Sequence, residues 1–328
     1  MKKLFLFLCS FLILIPFVLL SQTSGYKITG SINIGGKGWW DYAAVDVPMH
    51  MLYISNADRI HVINLKTNKV VGEIDGLSGV HGAVFADALG KGFISNGRSD
   101  TVTVFNLKTL KKTGEIHVTG KDPDAIVYDP FSERVFTMNG RSDNITAIDA
   151  KTYKVVGTIK LEGGPEFVVS NGKGLMYVNL EDKSKVVEFN PKTLKIIKTW
   201  SVAPGEGPSG LAIDIKDNIL FSGCHNKMMA ISDAKTGKVI TTVPIGGHVD
   251  ACGYDPETHL AFSSNGEGNL TVIKEISPKE FKVIDNITTE KGLRTMALDP
   301  ETHNIYIPGM LEGKDGNKSF GVLILEKK

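Results

Sequence analysis

Seven positions recur along the chain at intervals of 41 to 44 residues, and five of them carry charge: Asp41, Gly82, Asp124, Glu166, Ser209, Asp250 and Arg294. Each lies five residues before an Asp or Asn that ends a short apolar run, at Asp46, Asp87, Asp129, Asn171, Asp214, Asp255 and Asp299. Trp39, Trp40, His81 and His248 fall within two residues of this set. Packing does not demand four carboxylates at equivalent places in a repeat. If they converge, they present the oxygen donors that a hard cation such as Ca²⁺ takes. Arg294, Trp40 and the carboxylates would otherwise suit a small polar or sugar-like ligand, with the indole as a stacking face. The third reading is that these groups are solvated and pair with one another. The candidate binding set is therefore Trp40, Asp41, His81, Asp124, Glu166, Asp250 and Arg294, with a divalent cation as the implied cofactor.

A second cluster comprises Cys224, His225, His248, Asp250 and Cys252. Thiolate and imidazole suit Zn²⁺ or copper, but the spacing matches no metal motif. A Cys224–Cys252 disulfide, or two buried thiols, is the simpler expectation. Asn96-Gly97-Arg98-Ser99-Asp100 recurs as Asn139-Gly140-Arg141-Ser142-Asp143, which reads as one hairpin loop in consecutive repeats. The chain has no Gly-x-Ser-x-Gly elbow, no P-loop and no Cys-x-x-Cys-His haem attachment. Its one Gly-x-Gly-x-x-Gly spacing, Gly205 to Gly210, runs into a strand of the repeat and so is no dinucleotide fingerprint, which must open a helix.

The elements that must position these residues follow from the repeat. After each register Asp or Asn comes an aromatic-rich run, such as Gly92-Phe93-Ile94-Ser95-Asn96, Val135-Phe136-Thr137-Met138-Asn139 or Met176-Tyr177-Val178-Asn179. A Lys-Thr turn follows at Lys66, Lys108, Lys151, Lys192 and Lys235. Asn96-Gly97, Asn139-Gly140 and Asn265-Gly266 are read as hairpin turns with positive φ, and Asp129-Pro130, Asp255-Pro256 and Asp299-Pro300 as the turn after the first strand. Four short strands per unit of roughly 42 residues make a propeller blade. The expected fold is an all-β, seven-bladed β-propeller. Its last unit ends on a third strand, and the segment Lys27 to Gly36 matches the fourth strand of the third unit, so the N-terminal strand is expected to close the last blade.

The aromatic-Val-Asn marker, together with the Lys-Thr-x-Lys-Val-Val-Gly-x-Ile pattern, resembles the YVTN family of β-propeller repeat proteins. The resemblance covers residues 26–328 and implies an extracytoplasmic seven-bladed propeller; its motif residues are structural and name no ligand. The Gly-His and Trp-Asp markers of WD40 repeats do not recur from unit to unit; each dipeptide occurs once, at Gly247-His248 and Trp40-Asp41.

Lys2 and Lys3, the apolar run Leu4 to Leu20 and the polar stretch after it have the layout of a secretory signal peptide over residues 1–24, either cleaved or kept as an anchor. The remainder, 26–328, is expected to be one domain in the periplasm or secreted, touching a membrane only through an uncleaved leader. Without Lys2 and Lys3 the chain carries 35 basic and 36 acidic residues. This balance gives no basic stripe for nucleic acid. The leading functional expectation is a non-enzymatic module that binds a small ligand or an envelope protein. The alternative is a cation-dependent, lactonase-like hydrolase using the same carboxylates.

Overall fold

The structure is a computed structural model that describes residues 23–313 and 316–328. Most of the expected leader, residues 1–22, lies outside the described residues. Seven four-stranded antiparallel sheets follow one another around a ring. Blade three shows the pattern: Pro123–Asp129 innermost, then Arg134–Asn139, Asn144–Asp149 and Val155–Lys160 outermost. Blade seven is built from both ends of the chain. Tyr26–Asn33 pairs antiparallel with Lys318–Lys327, which pairs with Ile305–Glu312 and, through it, with the two-residue inner strand Ala297–Leu298.

The turn residues act through their side chains. Asp129, Asp255 and Asp299 accept the backbone N–H of Ser132, Glu257 and Glu301 and the hydroxyls of Ser132, Thr258 and Thr302, as an Asx turn requires. At the Lys-Thr turns the acceptor is the Asn or Asp two residues earlier. Asn106 Oδ1, for example, takes the N–H groups of Lys108 and Thr109. The Asn-Gly expectation needs correction. Asn96, Asn139 and Asn265 end their strands, and positive φ falls later, at Asp100, Asp143 and Gly268. The loops are therefore longer than two-residue hairpins. The asparagine amides turn inward instead, onto Thr103, Thr146 and Thr271.

Apolar side chains alternate into cores that lie between neighbouring blades. One joins Tyr53, Ile60 and Val62 of blade one to Val80, Ile94 and Phe105 of blade two. Outer-strand glycines admit the next blade: a Cβ on Gly72 or Gly157 would stand 2.5 or 2.3 Å from a methyl carbon of Leu110 or Leu194. Gly92 is tighter, with its Cβ position 2.1 Å from Phe105 Cζ in the fully buried core. Gly92→Ala is expected to cost about 1–3 kcal/mol by overpacking, read as a lower urea midpoint. Gly30→Ala, where nothing lies within 4 Å, should melt like the unaltered chain. Equal midpoints for the two variants would show that the Phe105 contact is not rigid.

Candidate functional site

Five of the seven ring positions are displayed by a shared irregularity. In blades two to six the register between the inner and second strands slips between Val80 and Ala83, Pro123 and Ile126, Pro165 and Val168, Pro208 and Leu211, and Val249 and Ala251. His81, Gly82, Asp124, Glu166, Ser209 and Asp250 all fall inside these slips. A bulge bends its strand and re-aims the side chain it carries. Polar residues of the aromatic runs hold the bulges of blades two, three and five, and bond the corresponding segment of blade seven. Ser95 Oγ accepts from Gly82 N and donates 2.6 Å to the Asp124 carbonyl in the next blade. Asn179 Nδ2 donates to the Ser209 and Gly210 carbonyls, and Ser264 Oγ reaches those of Leu293 and Thr295. In blade one, Ser55 Oγ takes Asp41 N.

Asp41, His81 and Asp124 come together. His81 Nδ1 lies 2.6 Å from Asp41 Oδ2 and 3.3 Å from Asp124 Oδ1, and its Nε2 lies 3.8 Å from Asp122 Oδ1. One ligand atom from each of Asp41, His81 and Asp124 falls within 4.8 Å of the others. Burial lowers the affinity of His81 for a proton, but the Asp41 hydrogen bond and the charges of Asp124, Asp41 and Asp122 outweigh it and raise its pKa. Burial, reinforced by Asp41, pushes Asp124 up to about 7 despite His81 beside it. Asp124 keeps only 25% of its side chain exposed, and its Oδ1 is buried without a hydrogen-bond partner. Glu166 is raised well above the carboxylate range by burial and by Asp124, Glu181, Asp250 and Asp41. Asp250 rises to about 6 through burial and Asp41, partly offset by Arg294, whose Nε lies 3.3 Å away.

Tyr42 and Trp39 were not in the expected set, yet both shape the site. The Tyr42 ring leaves blade one, packs over Gly82 of blade two and meets Phe167 of blade four with centroids 5.5 Å apart. It thus links blades one, two and four among the carboxylates. Burial and the charges of Asp124, Glu166, Asp41 and Asp250 hold its hydroxyl protonated. A signal existed: one residue after each ring position the chain has Tyr42 and Phe167 against Ala83, Ala125, Gly210, Ala251 and Thr295. Trp40 packs inward on Phe320, whereas Trp39 is 47% exposed and meets the His81 ring edge-on at 5.3 Å.

Trp39 divides two cavities at this mouth. One of about 760 Å³ is lined by His81, Arg98, Asp122 and Arg141, and one of about 400 Å³ by Trp40, His248, Gly266 and Arg294. Arg98 and Arg141 come from the repeated hairpin loop, which therefore does more than turn the chain. Gly97 is in that loop for space: a Cβ there would stand 2.4 Å from Asp122 Oδ1 and 2.6 Å from His81 Nε2.

The model of the YNCE-like beta-propeller family matches residues 78–305. The chain belongs to that family. This YNCE-like propeller, with seven blades closed by its terminal strands, fits the YVTN-type repeat expected from its markers. A chain of a solved structure titled "Crystal Structure of Mitotic Checkpoint Complex" is similar to it in fold, with a TM-score of 0.76, 13% identity and 98% of each chain covered. No curated protein matches.

The expected disulfide is corrected. Cys224 and Cys252 are both buried free thiols, the other outcome the sequence left open. Cys224 belongs to the core between blades four and five and donates to the Ser222 carbonyl at 3.4 Å; Cys252 belongs to the core between blades five and six. Burial raises both thiols, Cys224 to about 11. His225 stands apart, paired with Glu181 at 3.2 Å, so these residues do not assemble a metal centre.

Proposed function

We propose that this propeller is an extracytoplasmic binding module whose channel mouth takes a positively charged ligand, with Asp41, Asp124 and Glu166 receiving the charge and Trp39 covering an apolar or flat part of it. The observation that carries the reading is Asp124 Oδ1, buried among like charges with no hydrogen-bond partner. An oxygen in that position has lost its water and has only the shared His81 proton nearby, so an arriving cation supplies what the fold withholds. The extracytoplasmic placement rests on the leader-like segment alone.

A second reading uses the same residues. Two carboxylates and one imidazole within 4.8 Å suit a divalent metal that keeps positions open for water and substrate, which is the donor set a lactonase-like hydrolase would need.

Thermal melting with Ca²⁺, Zn²⁺ and an aromatic quaternary ammonium separates these. A ligand at 100 times its Kd adds about 2.7 kcal/mol, a rise of about 4 °C for a chain of this size. Asp41→Asn should remove the rise. If only the metals raise the melting temperature, lactone turnover that depends on them would establish the hydrolase. If no probe shifts the transition, the mouth is a solvated channel and the binding reading fails.

A further inference from the structure

At the end of the inner strands opposite this mouth, a second cluster joins blades five and six. Asp214 ends the inner strand Pro208–Asp214, Asp217 sits in the turn after it, and Glu275 comes from Asn269–Ser277, the third strand of blade six. One carboxylate oxygen from each lies within 4.8 Å of the others. Asp214 and Glu275 are almost fully buried, at 2% and 4% exposure. Among the described residues no lysine, arginine or histidine forms an ion pair with any of the three.

Two independent observations set the cluster apart from an ordinary acidic patch. Glu275 Oε1 is buried with no hydrogen-bond partner. Its Oε2 lies 2.6 Å from the Tyr254 hydroxyl, which also lies 3.2 Å from Asp214 Oδ2; a phenol has one proton to donate, so it satisfies only one of the two carboxylates at a time. The backbone is also built to bring Glu275 there. The third and fourth strands of blade six run nine residues each, against six in blade three, and their register slips between Glu275 and Ser277. The extension explains the longest repeat interval and carries the carboxylate over to blade five.

We propose that Asp214, Asp217 and Glu275 hold a hard divalent cation, Ca²⁺ by its all-oxygen donors, as a pin between blades five and six. Oxygens within 4.8 Å of one another match the span of a Ca²⁺ shell with bonds of about 2.3–2.6 Å. Asp217, only half-buried, provides the side from which the ion enters. Tyr254, stacked on Phe221 at 5.1 Å, orients Glu275 and Asp214 from the protein side.

The experiment is Ca²⁺ calorimetry and thermal melting of the chain carrying Asp41→Asn and Asp124→Asn, which disable the mouth. That chain should still bind one Ca²⁺ and melt higher with it. Adding Glu275→Gln, which keeps an acceptor for Tyr254, should lower the Ca²⁺ affinity at least tenfold and abolish the rise. Asp217→Asn, at a surface turn where folding is not at stake, should lower the affinity in the same direction. If the chain with the disabled mouth binds no Ca²⁺, or if both substitutions leave its affinity unchanged, the proposal is overturned and Glu275 is a neutral acid held by Tyr254. Failure of the mouth reading leaves this result unaffected, because the mouth is already silenced.

Discussion

A variant lacking residues 26–36 is expected to melt about 8 °C below the full chain. Tyr26 and Ile32 are 4% and 5% exposed, and burying each side chain contributes about 1.5–3 kcal/mol. Tyr26 stands edge-on to Phe262 at 5.2 Å and donates its hydroxyl to the His303 carbonyl at 2.8 Å, so the strand grips blade six as well as blade seven. Ser24 Oγ adds a 2.6 Å bond to Asp285. The sum is about 5 kcal/mol, comparable with the whole stability of many domains, and in a chain of about 300 residues each kcal/mol moves the transition by about 1.6 °C. Deletion would also leave Lys318–Lys327 as an unpaired edge, which invites association with other chains. Scanning calorimetry with light scattering checks both effects. A melting temperature within a few degrees of the full chain would mean the ring is held by its blade interfaces alone.

The second large effect is in pH. Asp124 is raised from 3.8 to about 7 and Asp250 to about 6. Between about pH 4 and 7 the folded state therefore holds protons that the unfolded state has released. Stability then falls as pH rises. His81, also raised, contributes in the same direction: its share is present at low pH and lost as pH climbs through its folded value. The Asp124 contribution is on the order of 4 kcal/mol, from a rise of about three pKa units at about 1.36 kcal/mol each. The chain should be more stable at pH 5.5 than at pH 8, and Asp124→Asn should be more stable than the unaltered chain at pH 8 with a flatter profile. Urea midpoints at the two values test it; parallel profiles for the two proteins would show that Asp124 ionises freely. A cation bound at the mouth should bind more weakly at pH 5.5, where it competes with these protons.

Which features could be read without coordinates follows from how local their physics is. The propeller was legible because a blade is a short-range object. Its Asx turns, Lys-Thr turns and period-two apolar strands are written within about 42 consecutive residues, and closure follows from a segment that matches a missing strand. The ring of Asp41, Asp124, Glu166 and Asp250 was legible for the same reason, since a repeat gives equivalent residues a common address.

Tertiary structure alone decided what that address contains. Trp39 and Trp40 are neighbours in sequence, but alternation in the entering segment sends Trp40 onto Phe320 and leaves Trp39 at the mouth between two cavities. For Cys224 and Cys252 the sequence left a disulfide and two buried thiols both open, and the fold decides for thiols by facing them into different inter-blade cores. The Asn-Gly pairs looked like tight turns, yet Gly97 answers to the crowding of His81 and Asp122 from elsewhere in the ring. Asp214 and Glu275, 61 residues apart in the numbering, meet only because blade six carries an extended, bulged hairpin. In each case the deciding contact is between blades, where the distance in sequence is large and the packing of seven sheets around one axis determines which side chains meet. The acidic ring follows from the residue types and their repeat; only the fold shows that Asp124 Oδ1 is buried there with no hydrogen-bond partner and with His81 as its nearest positive charge.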